Sequence, residues 1–146
     1  MNLLLDTSVW IDELRQGAVA ELLPAMSGKF TIWLDAIAAA ELYAGCRSKN
    51  ERDVVDRLTT PFEKVGRLVR PELSDFRRAA TAISRLREQG LSLRGSGGVL
   101  LDGLIATAAV RIGALLVTLN IEDFLRLKRQ LPLRVESLAD FKKRFD

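Results

Sequence analysis

Asp6, Glu41, Asp102 and Asp123 are acids set in apolar surroundings, and they are the residues of this chain whose types and placement could do chemistry. Asp6 closes the run Leu3-Leu4-Leu5 and is followed by Thr7 and Ser8. Glu41 is the one charged residue between Ala36 and Gly45, and Asp102 the one charged residue between Val99 and Ala109. The segment Thr118-Leu119-Asn120-Ile121-Glu122-Asp123-Phe124 offers Asn120 and Asp123, one as a helix cap and the other open for a site role. Carboxylates brought together repel by roughly 4 kcal/mol per pair at 4 Å and an effective dielectric of 20. With no histidine and no evident buried lysine to offset that charge, a divalent cation is the natural neutraliser. An all-oxygen donor set selects Mg²⁺ or Mn²⁺ over zinc. Such an ion would lower the pKa of a water and stabilise charge developing on a phosphodiester.

Each acid also has a plainer reading. Asp6, Thr7 or Ser8 could simply cap a short helix over Val9–Leu14, worth about 1 kcal/mol. Asp102 could make a charge–dipole contact in a first helical turn after the Gly95-Ser96-Gly97-Gly98 linker. That linker has no phosphate-binding lysine and does not read as a P-loop.

Composition narrows the chemistry. The 146 residues include no histidine and one cysteine, Cys46. This excludes imidazole-based triads and ribonucleases, disulfides, and zinc sites built from Cys and His. Cys46 reads as a helix-end packing residue. The N-terminus lacks a basic n-region and no apolar stretch reaches transmembrane length, so the expectation is a soluble chain, with no membrane role, in a reducing cytoplasm.

The elements that must position these acids alternate. Short apolar runs at Asn2–Leu5, Thr31–Leu34, Val65–Val69, Ala114–Thr118 and Leu133–Val135 read as strands. Helical spacing appears over Val19–Met26, Ala36–Cys46, Glu51–Leu58, Ser74–Gln89, Val99–Ile112 and Glu122–Lys128. Ser74 reads as an N-cap, Gly90 and Gly113 as stops, and the four prolines as punctuation. Alternating strands and helices predict an α/β domain, one unit over residues 1–146, with a mostly parallel sheet covered on both faces. Asp6 then falls at the carboxyl edge of the first strand, where such sheets bind ligands.

Charge is uneven: Arg47 to Arg94 holds 12 basic and 7 acidic residues, the remainder 10 and 12. For most of these arginines the plain reading is a solvated helix face; the functional one is a rim that attracts a polyanion. Trp10, Trp33 and Tyr43 lie in apolar segments and read as core or partner contacts.

The ordered set Leu3-Leu4-Leu5-Asp6-Thr7-Ser8, Ala40-Glu41-Leu42-Tyr43-Ala44-Gly45, Asp102-Gly103-Leu104-Ile105-Ala106-Thr107-Ala108-Ala109 and Thr118-Leu119-Asn120-Ile121-Glu122-Asp123-Phe124 resembles the PIN-domain ribonucleases. More narrowly it is similar to the VapC-type toxins of toxin–antitoxin pairs. The resemblance implies an α/β/α sandwich with five strands in the order 3-2-1-4-5. It implies Mg²⁺- or Mn²⁺-dependent endoribonuclease activity, and hydrolysis by a metal-activated water should leave a 5′-phosphate and a 3′-hydroxyl. It also implies a homodimer and a cognate VapB-type antitoxin whose C-terminal segment lies over the active site. Asp6, Glu41 and Asp102 match the family's metal-holding acids. The resemblance favours Asp123 as the fourth, with Asn120 a neighbour, and Thr7 and Thr118 match supporting hydroxyl positions. Arg85, Arg87 and Arg94 are the candidates for holding the RNA backbone.

Two rivals are weaker. A phosphoacceptor or haloacid-type phosphatase with Asp6 as nucleophile wants an Asp two residues on or a lysine after a late strand. Position 8 is Ser, and no early lysine follows Thr118. A catalytically silent module that binds RNA or protein differs from the nuclease only in metal-dependent activity.

Overall fold

The computed structural model describes residues 1–17, 19–20, 27–91 and 96–145. Strands β1 (Asn2–Leu5), β2 (Thr31–Asp35), β3 (Leu68–Val69), β4 (Ala114–Thr118) and β5 (Arg134–Ser137) form one sheet in the order β3-β2-β1-β4-β5, every neighbouring pair parallel. The described helices are α1 (Thr7–Gln16), α2 (Ala36–Ala44), α3 (Lys49–Lys64), α4 (Leu73–Glu88), α5 (Ser96–Arg111), α6 (Ile121–Leu127) and α7 (Leu138–Lys142).

The central strands β1 and β4 read as apolar runs because they are buried on both faces, whereas the edge strand β5, Arg-Val-Glu-Ser, is not. Successive side chains alternate sides. Leu3, Leu5, Leu115 and Val117 point into a core shared with Val9 and Trp10 of α1, Ala38 and Leu42 of α2, Val55 of α3, and Leu138 and Phe141 of α7. Leu4 and Leu116 point the other way, into a core with Ile83 and Leu86 of α4, Ile105 and Ala109 of α5, and Phe124 of α6. Leu3, Leu4, Leu5 and Leu116 are fully buried, each worth roughly 1.5–3 kcal/mol. The result is the expected α/β/α sandwich.

Several element bounds depart from the sequence expectation. Leu73, not Ser74, begins α4, because the Asp75 carboxylate takes the amide of Glu72 at 2.9 Å and starts the helix one residue early. Ser96, Gly97 and Gly98 are not linker but the first turn of α5, so Asp102 stands in its second turn. Pro61 does not end α3, which runs on to Lys64; both Pro61 and Arg57 four residues earlier are exposed, so the turn the ring disrupts faces water. Strand β3 keeps only Leu68 and Val69 of the apolar run from Val65, and α7 has no counterpart among the expected helices. Gly90 and Gly113 do act as stops, at φ +74° and +64°. Residues 21–26, most of the expected Val19–Met26 helix, lie outside the described residues, as do Arg94 and Gly95. Among the described residues no helix is long and apolar enough to cross a membrane.

Candidate active site

Strands β1 and β4 lie side by side at the centre of the sheet, in a register that continues when the Asp6 amide donates to the Val117 carbonyl at 2.9 Å. This sets Asp6 beside Thr118, at the carboxyl edge where the strand order reverses. Asp6 occupies the N-cap position of α1, yet its side chain makes no capping hydrogen bond. Instead Oδ2 accepts from Ser8 Oγ at 2.7 Å and Thr118 Oγ1 at 2.8 Å. Both hydroxyls are themselves oriented by backbone: Ser8 Oγ accepts from the Leu119 amide at 3.1 Å, and Thr118 Oγ1 from the Asn120 amide at 3.0 Å. Oδ1 of Asp6 is buried with no partner, although the residue is only 3% exposed. A buried carboxyl oxygen left without a partner is costly, and an electrophile at Oδ1 would remove that cost.

Glu41 stands on α2, whose buried Ala38, Ala39 and Leu42 pack into the core on one face of the sheet. Thr7 Oγ1 at the start of α1 donates to Glu41 Oε1 at 2.9 Å. Burial raises the Glu41 carboxyl, the Thr7 hydroxyl opposes that, and the like charge of Asp6 adds to it. Asp102 is pushed up to about 7, first by burial and then by the charges of Asp6, Asp123 and Glu41. Asp102 of α5 therefore lies within the fields of Asp6 after β1, Glu41 of α2 and Asp123 of α6, and Glu41 within that of Asp6. Asp123, in the first turn of α6, pairs with Arg126 one turn on at 2.8 Å. Asn120 is the N-cap residue of α6, exposed, and its side chain makes no capping bond.

Asp102 is held by a close helix crossing. A Cβ at the adjacent Gly103 would come to 3.2 Å from Ala79 Cβ and 3.4 Å from Ile83 Cδ1, so the absence of a side chain lets α5 lie against α4. Arg111, at the far end of α5, donates to the buried Asp75 of α4 at 2.9 Å and to the Arg70 carbonyl.

The donors are all carboxylate and hydroxyl oxygens, which suits a hard divalent cation. The bare Oδ1 of Asp6 and the raised carboxyls of Glu41 and Asp102 fit a cation among them. Among the described residues no three acids stand close enough together to hold a metal ion as the side chains lie here.

Two further residues carry more than the sequence alone assigns to them. Ser8 is one of the two hydroxyl donors to Asp6; its place two residues after the acid is a signal, but one that reads equally as a cap. Asp35 is fully buried, its Oδ1 accepting from the Ile37 amide at 2.6 Å and so capping the helix that carries Glu41. Arg85 and Arg87 lie on the exposed face of α4. Of the aromatic residues, Trp10 is core, Trp33 Nε1 donates to Asn2 Oδ1, and the Tyr43 hydroxyl bonds Asp56 and Thr59. Cys46 donates to the Leu42 carbonyl and packs at the end of α2.

A parallel five-stranded sheet of this order with acids at the β1/β4 edge is a PIN-type arrangement, and the chain belongs to the PIN domain family, whose model matches residues 3–130. It is similar in structure to a chain of VapBC2 from Rickettsia felis bound to a promoter DNA fragment, with TM-score 0.70 and 25% identity over 94% of this chain and 98% of that one. It is likewise similar to a chain of VapBC-1 from nontypeable Haemophilus influenzae, with TM-score 0.71 and 20% identity over 95% and 99%. A chain of FitAcB from Neisseria gonorrhoeae matches at TM-score 0.68 and 23% identity over 92% and 96%. No curated protein matches the chain by sequence.

Proposed function

We propose that this chain is a Mg²⁺- or Mn²⁺-dependent endoribonuclease acting as the toxin of a toxin–antitoxin pair. The observation that carries the reading is the buried, unpartnered Oδ1 of Asp6 at the β1/β4 edge, and the charges of Asp6, Glu41 and Asp123 acting on Asp102 support it. Membership of a family of nucleases, and likeness to chains of VapBC complexes, support it.

In this reading the four acids hold the cation, with Asn120 beside them. Bound there, it would activate a water and stabilise the charge that develops on the scissile phosphate. The chain's own groups do the positioning. Thr118 and Ser8 hold Oδ2 of Asp6 so that Oδ1 faces the site, and Thr7 fixes the rotamer of Glu41. The chain has no imidazole to serve as general base, so proton transfer falls to solvent and the carboxylates. Arg85 and Arg87 contribute to holding the RNA backbone; Arg94, assigned with them from the sequence, lies outside the described residues.

A VapB-type antitoxin is the proposed partner and a homodimer the proposed assembly, working in the cytoplasm. A groove of about 310 Å³ lined by Ile11, Leu14, Leu42, Val54 and Val55 also includes Glu41. An apolar antitoxin segment seated there would reach the acids.

The test is incubation of the partner-free protein with total RNA, with and without Mg²⁺ or Mn²⁺, alongside Asp102→Ala. Metal-dependent cleavage lost in the variant is expected. Intact RNA, together with no heat of Mn²⁺ binding in a calorimetric titration, would instead leave a silent RNA- or protein-binding module.

A further inference from the structure

We infer a second nucleic-acid contact away from the acids: a cleft between α4 and the turn after α6 that grips the phosphate backbone of single-stranded RNA. The inference rests on the nuclease reading for the identity of the polyanion, and its test does not depend on cleavage.

Arg77, Arg78 and Arg85 line a cleft of about 290 Å³, with Thr81 and Gln130 beside them and Ala82 and Leu131 completing the lining. Arg77, Arg78, Thr81 and Arg85 fall at helical spacing on the exposed side of α4 that adjoins its buried stripe of Asp75, Ala79, Ala82, Ile83 and Leu86, with Ala82 at the boundary between the two. No carboxylate lines the cleft. The one acid inside the span of these arginines' helix that is buried, Asp75, is already committed to Arg111. Among the described residues, Arg77, Arg78 and Arg85 make no hydrogen bond or ion pair through their side chains. Arg111, Arg126, Arg134 and Arg144, by contrast, are each bound to a carboxylate or a carbonyl. Three unpaired guanidinium groups around one concavity repel one another, and an anion with several charges resolves that repulsion.

The lining selects the anion. Guanidinium forks match phosphate oxygens in pairs, and hydroxyl and amide side chains such as Thr81 and Gln130 are ordinary partners of phosphate and ribose. No aromatic ring lines the cleft, so it offers no surface for stacking bases. It therefore suits a sequence-independent grip on the backbone. Its place suits a substrate: Asp123 lies in the first turn of α6, and Gln130 follows it after hydrogen bonds that continue the helical path, Lys128 to Phe124 and Gln130 to Leu127. Seven residues at the helical rise separate the two by about 10 Å. An RNA strand of a few nucleotides spans that distance.

The experiment is fluorescence anisotropy with a labelled mixed-sequence RNA oligonucleotide in EDTA, so that nothing is cut, across a salt series. It compares the wild type with the triple variant Arg77→Gln, Arg78→Gln, Arg85→Gln and with the triple Arg→Lys variant. The Gln variant is expected to bind about tenfold more weakly, with its log–log salt slope shallower by about 2, for three lost single-strand phosphate contacts. The Lys variant should keep most of the slope. On a long RNA substrate the Gln variant should raise KM and leave kcat unchanged. Wild-type affinity and slope in the Gln variant would overturn the cleft while leaving the nuclease reading intact. Binding that depends on the arginines in a protein that never cleaves would overturn the nuclease reading and keep the cleft. A fall in particle mass by sedimentation in the Gln variant would overturn it too, by making this face a contact between copies of the chain.

Discussion

Thr118 Oγ1 donates to Asp6 Oδ2 at 2.8 Å across the β1–β4 pair, joining residues 112 apart in sequence. The same oxygen accepts from the Asn120 amide at 3.0 Å, so one fully buried hydroxyl is satisfied on both sides and has a single orientation. Thr118→Val keeps the shape and removes both partners. It should cost about 1–3 kcal/mol in urea unfolding, since Asp6 and a backbone amide lose a partner together. Thr118→Ser should recover most of that loss. A Val variant as stable as wild type would show that water replaces the hydroxyl.

Burial and three neighbouring charges oppose the ionised form of Asp102. Asp102→Asn should therefore raise the Tm of the metal-free protein while removing the Tm increase that added Mn²⁺ gives the wild type. A variant that Mn²⁺ still stabilises as fully as wild type would take Asp102 out of the cation site.

Asp35 makes stability depend on pH. Burial first, and then the charge of Asp75, push its carboxyl up to about 7, against the Ile37 and Ala38 amides and Arg111, which act in the opposite direction. Its folded pKa lies above the ordinary value of 3.8 that it has in the unfolded chain, so the folded state binds the extra proton between those two values. Stability then falls as pH rises through that window, with a limiting slope of about 1.4 kcal/mol for each pH step of one, and the full penalty is present above neutral pH. Asp35→Asn keeps an oxygen to accept from Ile37 and should flatten this part of the pH–stability curve. Equal slopes in variant and wild type would show that Asp35 does not titrate there.

Gly103, next to Asp102, lets α5 lie close against α4. Gly103→Val would drive a branched side chain into Ala79 and Ile83, where even a Cβ sits at 3.2 and 3.4 Å. The expected cost is about 1–3 kcal/mol, with loss of Mn²⁺ affinity as α5 moves off α4. Calorimetric titration checks the second effect. Unchanged affinity in a destabilised variant would mean that the acids tolerate the shift.

Much of this is legible residue by residue. β1 and β4 have the bounds expected from Asn2–Leu5 and Ala114–Thr118, because a doubly buried strand must be a short unbroken apolar run. Asp6, Glu41 and Asp102 stand out because each interrupts such apolar sequence. The start of α4 is not legible in the same way, because Asp75 rather than Ser74 supplies the terminal hydrogen bond, and Gly97 and Gly98 have the composition of a linker though they open a helix. Ser8 and Asp35 are inconspicuous in the chain because their importance lies in what they touch.

Residue types and their periods are enough to establish a parallel α/β architecture, an all-oxygen chemistry and the acids that could perform it, since burial patterns and donor chemistry are local properties. Which oxygen of Asp6 is held and which is bare, that Thr7 meets Glu41, and that three arginines of α4 share a cleft with Gln130 are decided only by the tertiary fold. These are distances between groups as much as 112 residues apart, set by strand register and helix packing, and no local pattern in the chain encodes them.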